Sequence, residues 1–490
     1  MRTVVGPTDR VVVVGAGLGG LSAAIRLAAA GRQVTVLERE SVPGGRAGLL
    51  ERAGYRFDTG PTVLTMPHLI ADTLATVGEE LTDWLDLVRL DPAYRAHFAD
   101  GSTLSVRTDT AAMAGEIARL CGPREADGYL RFVDYARDLY RIEWRDFIDR
   151  NLDSPLDLLT PNLVRLVARG GLRSLSAKVG QFLRDPRTRR VFSFQAMYAG
   201  LAPQRALALY TVISYLDTVA GVYFPRGGMH AVPSALAAVA TKHGVDVRYD
   251  TEVSGVEVSG GRARAVTTVA GQRIPADVVI LNPDLPVARR DLLGTPVRRP
   301  LTYSPSCVVL HVGATAAYAK AAHHNIHFGR AWRDTFDEVI RRGRLMSDPS
   351  LLVTNPTRTD PTLAPPGRQA YYVLAPAPNL VRGRRIDWST TGSRYADELL
   401  STVEDRGYRG LTGSVEVRAV VTPADWAAMG MAAGTPFAAA HTFAQTGPLR
   451  PGNLAPGVEN VVLVGSGTQP GVGVPMVLVS GRLAAERVTG

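Results

Sequence analysis

Apolar positions along the chain fall into a few patterns, each predicting a different element. The β-branched run Val11 to Val14 is too short for a buried helix and predicts a central strand buried on both faces. Leu21 to Ala30 follows as an apolar helix, and Val34, Val36 and Leu37 as a second strand. Residues 79–222 read mainly as helical; Tyr129, Phe132, Val133, Ala136 and Tyr140 mark one stripe, of the kind that forms core. The exception is YRAHFADGSTLSV, where Asp100 and Gly101 predict a hairpin turn. The segment from Gly244 to Asp284 returns to short strands broken by Ser-Gly-Gly and Ala-Gly turns, and residues 300–450 mix strands with helices.

The longest uncharged stretch, Asn460 to Gly481, is long enough to suggest a membrane span. Its Gly465, Gly467, Pro470, Gly471, Gly473 and Pro475 break any spanning helix, so it reads as a strand (Val461 to Val464), a glycine loop and a helix. No repeat and no linker-like segment divides the chain, which predicts interleaved domains: 1–78, 223–299 and 455–490 in one, 79–222 and 300–454 in the other.

The first of these elements carry chemistry. Gly15, Gly17 and Gly20 directly follow the first strand, respectively for a tight turn, for backbone approach to a pyrophosphate and for close packing of helix on sheet. The helix N-terminus then faces the phosphates. Glu38 ends the second strand, where an acid accepts hydrogen bonds from a ribose and repels a 2′-phosphate. Glu38→Ala is therefore expected to weaken cofactor retention more than folding. Further on, Gly44 and Gly45 make a sharp loop, Arg46 offers a cation, and Asp58 to Pro61 form another turn beside the same site.

The pairing of GAGLGG with PGGRA and FDTGPT resembles the flavin-dependent carotenoid desaturases, the bacterial phytoene desaturase family. YFPRGGMHAVPSAL (Tyr223 to Leu236), HHNIHFG (His323 to Gly329), APPGRQAYYVLAPAP (Ala364 to Pro378) and VGSGTQPGVGVP (Val464 to Pro475) extend it, in the family's order, over nearly the whole chain. Gln469 stands where some relatives have His. The resemblance implies an α/β fold of flavin amine oxidase type: a Rossmann-type FAD-binding domain with an interleaved mixed α+β substrate domain. It implies FAD as hydride acceptor and a phytoene-like isoprenoid as donor, giving neurosporene- or lycopene-type products. Candidate cofactor positions are Gly15, Gly17, Gly20, Glu38, Arg39, Gly45, Arg46, Gly60, Pro61, Thr62, Val253, Gly465, Gly471, Gly473, Val474 and Pro475, with Val253 meeting the adenine through its backbone. The alternatives are a carotenoid isomerase, ketolase or retinoid saturase on the same scaffold, or a non-catalytic prenyl-binding escort.

Composition changes this picture little. The net charge of +9 comes from arginine, with only Lys178, Lys242 and Lys320 as lysines, and no nucleic-acid-binding signature accompanies it, so a nucleic-acid partner is not expected. Cys121 and Cys307 make neither a disulfide framework nor a thiolate metal site, which suits a reducing compartment. His323, His324 and His327 lie in a strand-like stretch without a nearby carboxylate or thiolate, so no metal is expected. The N-terminus lacks the apolar core of a signal peptide, which predicts a cytoplasmic protein.

Only one full dinucleotide fingerprint is present, so reduced flavin is expected to pass its electrons to a diffusible acceptor rather than to a second bound nucleotide; the family resemblance implies that this acceptor is oxygen or a membrane quinone. A hydrocarbon substrate has no polar handle. Exposing ten of its CH₂ groups to water costs about 8 kcal/mol, which favours delivery from a membrane. Leu163 to Arg190 carries eight basic residues against Asp185, a net +7, with Leu172, Leu175, Val179, Phe182 and Leu183 at helical spacing. It predicts peripheral docking on the inner face of the cell membrane, against the alternative of a helix covering the protein's own core. Finally, hydride loss leaves a cation whose neighbouring proton needs an acceptor. Asp157, among Leu156, Leu158 and Leu159, is the candidate base, expected to be desolvated and hence more basic, unless it caps a helix beginning at Leu158. The resembling family also carries an acid in a similar segment near the flavin.

Overall fold

A computed structural model of the protein describes residues 1–295, 297 and 299–490. Its organising sheet has five parallel strands in the order Val461–Leu463, Val278–Leu281, Arg10–Val14, Gln33–Leu37 and Asp246–Arg248. The Val11–Val14 run forms the centre of this sheet, and all four valines are buried, as an unbroken apolar run requires. The helix after it spans Leu18–Ala29 and so begins earlier than its apolar spacing suggested, with Gly19 and Gly20 inside its first turn. The C-terminal stretch is the strand Val461–Leu463 followed, past the glycine loop, by the helix Val474–Thr489. Among the described residues no helix is long and apolar enough to cross a membrane.

A second sheet of seven strands joins Tyr94–His97 and Thr103–Val106 to five strands drawn from residues 306–421. The join is the parallel pairing of Tyr94–His97 with His324–His327. The first two strands form the hairpin expected at Asp100 and Gly101, with Tyr94 opposite Val106. The helix Pro123–Glu143 buries Tyr129, Phe132, Val133 and Ala136 as core, while Tyr140 reaches a cavity.

The basic stretch 163–190 differs from the single amphipathic helix its spacing suggested. It breaks into Pro161–Ala168, Leu175–Phe182 and Pro186–Val191, because Gly170, Gly171 and Pro186 interrupt it and Thr160, Ser174 and Asp185 each cap a new start. Leu175, Val179 and Leu183 are buried in the protein's own core. Arg187 pairs with Asp185, and Arg190 donates to the carbonyls of Gly329 and Arg330. These apolar positions are therefore not a membrane face. Exposed apolar side chains lie instead at Leu156, Leu159, Val164, Val167 and Leu172.

Candidate functional site

One cavity of about 1390 Å³ runs from the glycine turn of the five-stranded sheet to the second sheet and to the helix Pro161–Ala168. Small-molecule pockets commonly hold about 300–1000 Å³, so this space accommodates a dinucleotide together with an elongated second molecule. Of the sixteen candidate cofactor positions, all but Gly20 and Gly471 line it. Gly20 acts from behind: a Cβ there would collide with the Gly15 carbonyl, so its absence lets the helix lie against the strand. Gly471 packs against the His441 ring, where a side chain would have no room.

The turn itself is held by two polar side chains. Glu38 is buried, its Oε2 accepting from the Ala16 amide at 2.6 Å and its Oε1 from the Glu40 amide at 3.0 Å. Burial raises this carboxyl above its ordinary value, against the pull of those two amides. Each oxygen keeps a lone pair for a further donor. Asn282 Oδ1 accepts from the Gly20 amide at 3.0 Å, and its Nδ2 donates to the Val464 carbonyl at 3.3 Å, tying the glycine turn to the C-terminal loop. The helices beginning at Leu18 and Val474 both lack a side-chain cap and an acid in the first turn, so two positive helix ends open into the cavity.

Arg46 lines the cavity, but its guanidinium donates to Asp284 at 2.9 Å and to Ser466 Oγ. Its charge is matched within the protein by Asp284. Arg39 donates to Glu40 and to the Met429 carbonyl. Val253 begins a strand, and Gln469 is held by a donor bond to the Gly447 carbonyl. Arg450, wholly buried, donates to the carbonyls of Thr468, Ser466, Ala439 and Gln445 and fixes the loop before Gly471. Burial lowers it to about 10.

The desolvation expected of Asp157 is not found. Its Oδ2 accepts from the Asp153 amide at 2.7 Å and the Ser154 amide at 2.9 Å, within a short helix Pro155–Leu158 that also uses Ser154 as a cap. It lies off the cavity, and these bonds, that to Ser154 foremost, hold it below the ordinary carboxylate value. Such a carboxylate is a weaker base than a free one. It caps, though in a helix begun at Pro155 rather than Leu158. Asparagine keeps one acceptor oxygen, so Asp157→Asn is expected to cost under about 1 kcal/mol and to leave flavin content unchanged. A folded variant that loses product formation would restore the base role.

His324–His327 is a strand, as read, and no group of three metal-ligating side chains occurs among the described residues. Sequence reasoning missed Asn282, Asp284, Arg450 and two buried cavity acids, Glu143 and Asp217. The first two carried a signal, being the polar end of the apolar strand in VVILNPD.

Residues 18–489 match the family of flavin containing amine oxidoreductases. The chain is 58% identical to a phytoene dehydrogenase of Streptomyces griseus, over 100% of this chain and 97% of that one. It belongs to the phytoene desaturase family. Other members include a zeta-carotene-forming phytoene desaturase of Myxococcus xanthus, 38% identical over 98% of this chain and 93% of that one, and a lycopene-forming phytoene desaturase of a Paracoccus strain, 33% identical over 97% and 96%. Among solved structures, an oxidoreductase from Methanosarcina mazei shares the fold with a TM-score of 0.62, at 18% identity, over 97% of this chain and 100% of that one. The phytoene desaturase resemblance read from the motifs therefore holds, and with it the α/β flavoprotein oxidoreductase fold.

Proposed function

We propose that the protein is an FAD-dependent phytoene desaturase, releasing neurosporene- or lycopene-type products, with oxygen or a membrane quinone as final electron acceptor. The observation that carries this reading is the continuity of one cavity from the glycine turn to a wall of Leu158, Leu163, Leu166, Leu172 and Leu209. A cofactor cradle and an apolar tunnel share one space, which suits a substrate recognised by burial alone. The helix end at Leu18 fits a pyrophosphate, Glu38 a ribose, and the helix end at Val474 an electron-rich ring carbonyl. Bound FAD would supply the hydride acceptor. The protein's share is to bury the polyene beside it and keep water out. Residues 1–78, 223–299 and 455–490 form the FAD unit in this reading, and the remainder the substrate unit. Extracted pigments from cells making phytoene and this protein would identify the product by chromatography; phytoene that is only isomerised would contradict desaturation.

Delivery from the inner face of the cell membrane is part of the same reading, carried by Leu172 and the arginines of the stretch first expected together with apolar neighbours outside its stripe. Leu156, Leu159, Val164, Val167, Leu172 and Phe443 are between 45% and 73% exposed, and Leu172 and Phe443 also line the cavity. The helix Pro161–Ala168 buries only Leu166. An apolar rim around a tunnel mouth suits insertion into lipid. Arg165, Arg169 and Arg173 flank it, and an Arg near an anionic surface contributes about 1 kcal/mol. Vesicle binding is therefore expected to have a salt-sensitive part, reduced by replacing these three with Gln, and a salt-resistant part, reduced by replacing Leu156, Leu159 and Val164 with Ser. Equal binding of the wild type and the serine variant at high salt would remove the apolar part of the account.

A further inference from the structure

Five acids are buried among the described residues: Glu38, Glu125, Glu143, Asp217 and Asp360. Three have structural work. Glu38 accepts from the Ala16 and Glu40 amides, Glu125 from the Arg184 and Asp185 amides and Thr188 Oγ1, and Asp360 from the Gly227 and Thr362 amides. Glu143 and Asp217 accept no backbone amide and form no ion pair among the described residues, and both line the cavity. Burying a carboxyl without a cation or a backbone donor is costly, and a tunnel for a hydrocarbon has no use for one in binding.

The placement of Asp217 separates it from Glu143. It sits in the π-helical turn Leu216–Ala220, which runs into the strand Tyr223–Pro225. The Tyr223 amide donates to the Leu64 carbonyl at 2.8 Å, so this turn is anchored to the loop that begins at Gly60 and lines the proposed flavin site with Pro61 and Thr62. Tyr198 interacts with Asp217 and meets Phe194 edge to face, and Phe194 in turn meets Phe328, with centroids 5.8 and 5.9 Å apart; all three rings line the same cavity. Aromatic faces and one carboxylate together suit a cation developing on an apolar chain.

The geometry points to Asp217 as the proton acceptor of desaturation. This rests on the desaturase reading. In the step, one C–H bond of the substrate breaks with both electrons passing as hydride to the flavin. The C–H bond on the adjacent carbon then breaks, its electron pair forms the new C=C, and its proton passes to an Asp217 carboxylate oxygen. The groups facing Asp217 are the Gln195 amide, Tyr94 and Tyr198, with Tyr129 behind Tyr94; burial keeps all three tyrosines neutral, and no cation pairs with Asp217 among the described residues. Burial pushes Asp217 up to about 7, where it is both ionised in part and basic enough to take a proton. Burial raises Glu143 as well, well above the ordinary carboxylate range.

The test uses FAD-loaded protein, phytoene in liposomes and anaerobic flavin bleaching. Asp217→Asn is expected to keep FAD absorbance yet bleach at least about 100-fold more slowly, and Asp217→Glu to keep part of the rate with a displaced pH profile. A readout independent of turnover is the infrared C=O stretch of buried carboxyls: in wild type a component of it is expected to fade as pH rises through about 7, and that titrating component, unlike any band from Glu143, is expected to be missing in Asp217→Asn. Stability must move with it. A carboxyl raised on folding contributes fully below its unfolded value and loses that contribution as pH rises through about 7, so Asp217→Asn should flatten the decline. Wild-type bleaching with an unimpaired Asp217→Asn, or a greater loss in Glu143→Gln, would overturn the assignment alone. A wild type that phytoene does not bleach would overturn the desaturase reading instead.

Discussion

Arg450→Met is expected to destabilise the protein by about 3–5 kcal/mol and to release bound flavin. The guanidinium donates to four carbonyls in a site with no access to solvent, including those of Ser466 and Thr468 in the loop beside the cofactor positions. Methionine fills much of the volume but donates nothing. Each orphaned acceptor costs about 1–3 kcal/mol, and relief of the desolvated cation offsets part of the sum. Arg450→Lys keeps the charge but offers three compact donors in place of a planar fan, so its loss should fall between the two. Thermal melting of flavin-free protein measures the structural part, and flavin absorbance after gel filtration the remainder. A Met variant melting with the wild type would show that the loop does not depend on this cation.

Glu38→Gln is expected to weaken FAD binding by about 10- to 100-fold, the loss of charge-assisted bonds worth about 1.5–3 kcal/mol. The amide form can still accept from Ala16, but its NH₂ then faces the Glu40 amide, donor against donor. Glu38→Ala orphans both amides. Contrary to the expectation from spacing alone, it should therefore damage folding as well as retention, so the Gln variant is the cleaner probe. Titration of flavin-free protein with FAD gives the affinity, and unchanged affinity in Glu38→Gln would remove the ribose role.

How far the chain announced these features depends on whether a signal was local. Val11 to Val14 and the glycines after it were legible because one short run both forms and turns the element. The hairpin at Asp100 and Gly101 was legible for the same reason. The stretch 163–190 misled because helical spacing continues through Gly170, Gly171 and Pro186, while burial of Leu175, Val179 and Leu183 is decided by distant partners. Asp157 misled in a related way: leucines beside it in sequence do not surround it in space, and two nearby amides take its carboxylate. Arg450 and Asp217 were invisible because only the tertiary fold puts four carbonyls around one and a tunnel against the other.

In the proposed desaturase one flavin site and one apolar tunnel act together. Anaerobic mixing of FAD-loaded protein with phytoene in liposomes, without NAD(P)H, tests it in a single turnover. Flavin bleaching is expected, matched by one new conjugated double bond per flavin. Isomerised phytoene with unbleached flavin, or a protein that takes up no FAD, would contradict it.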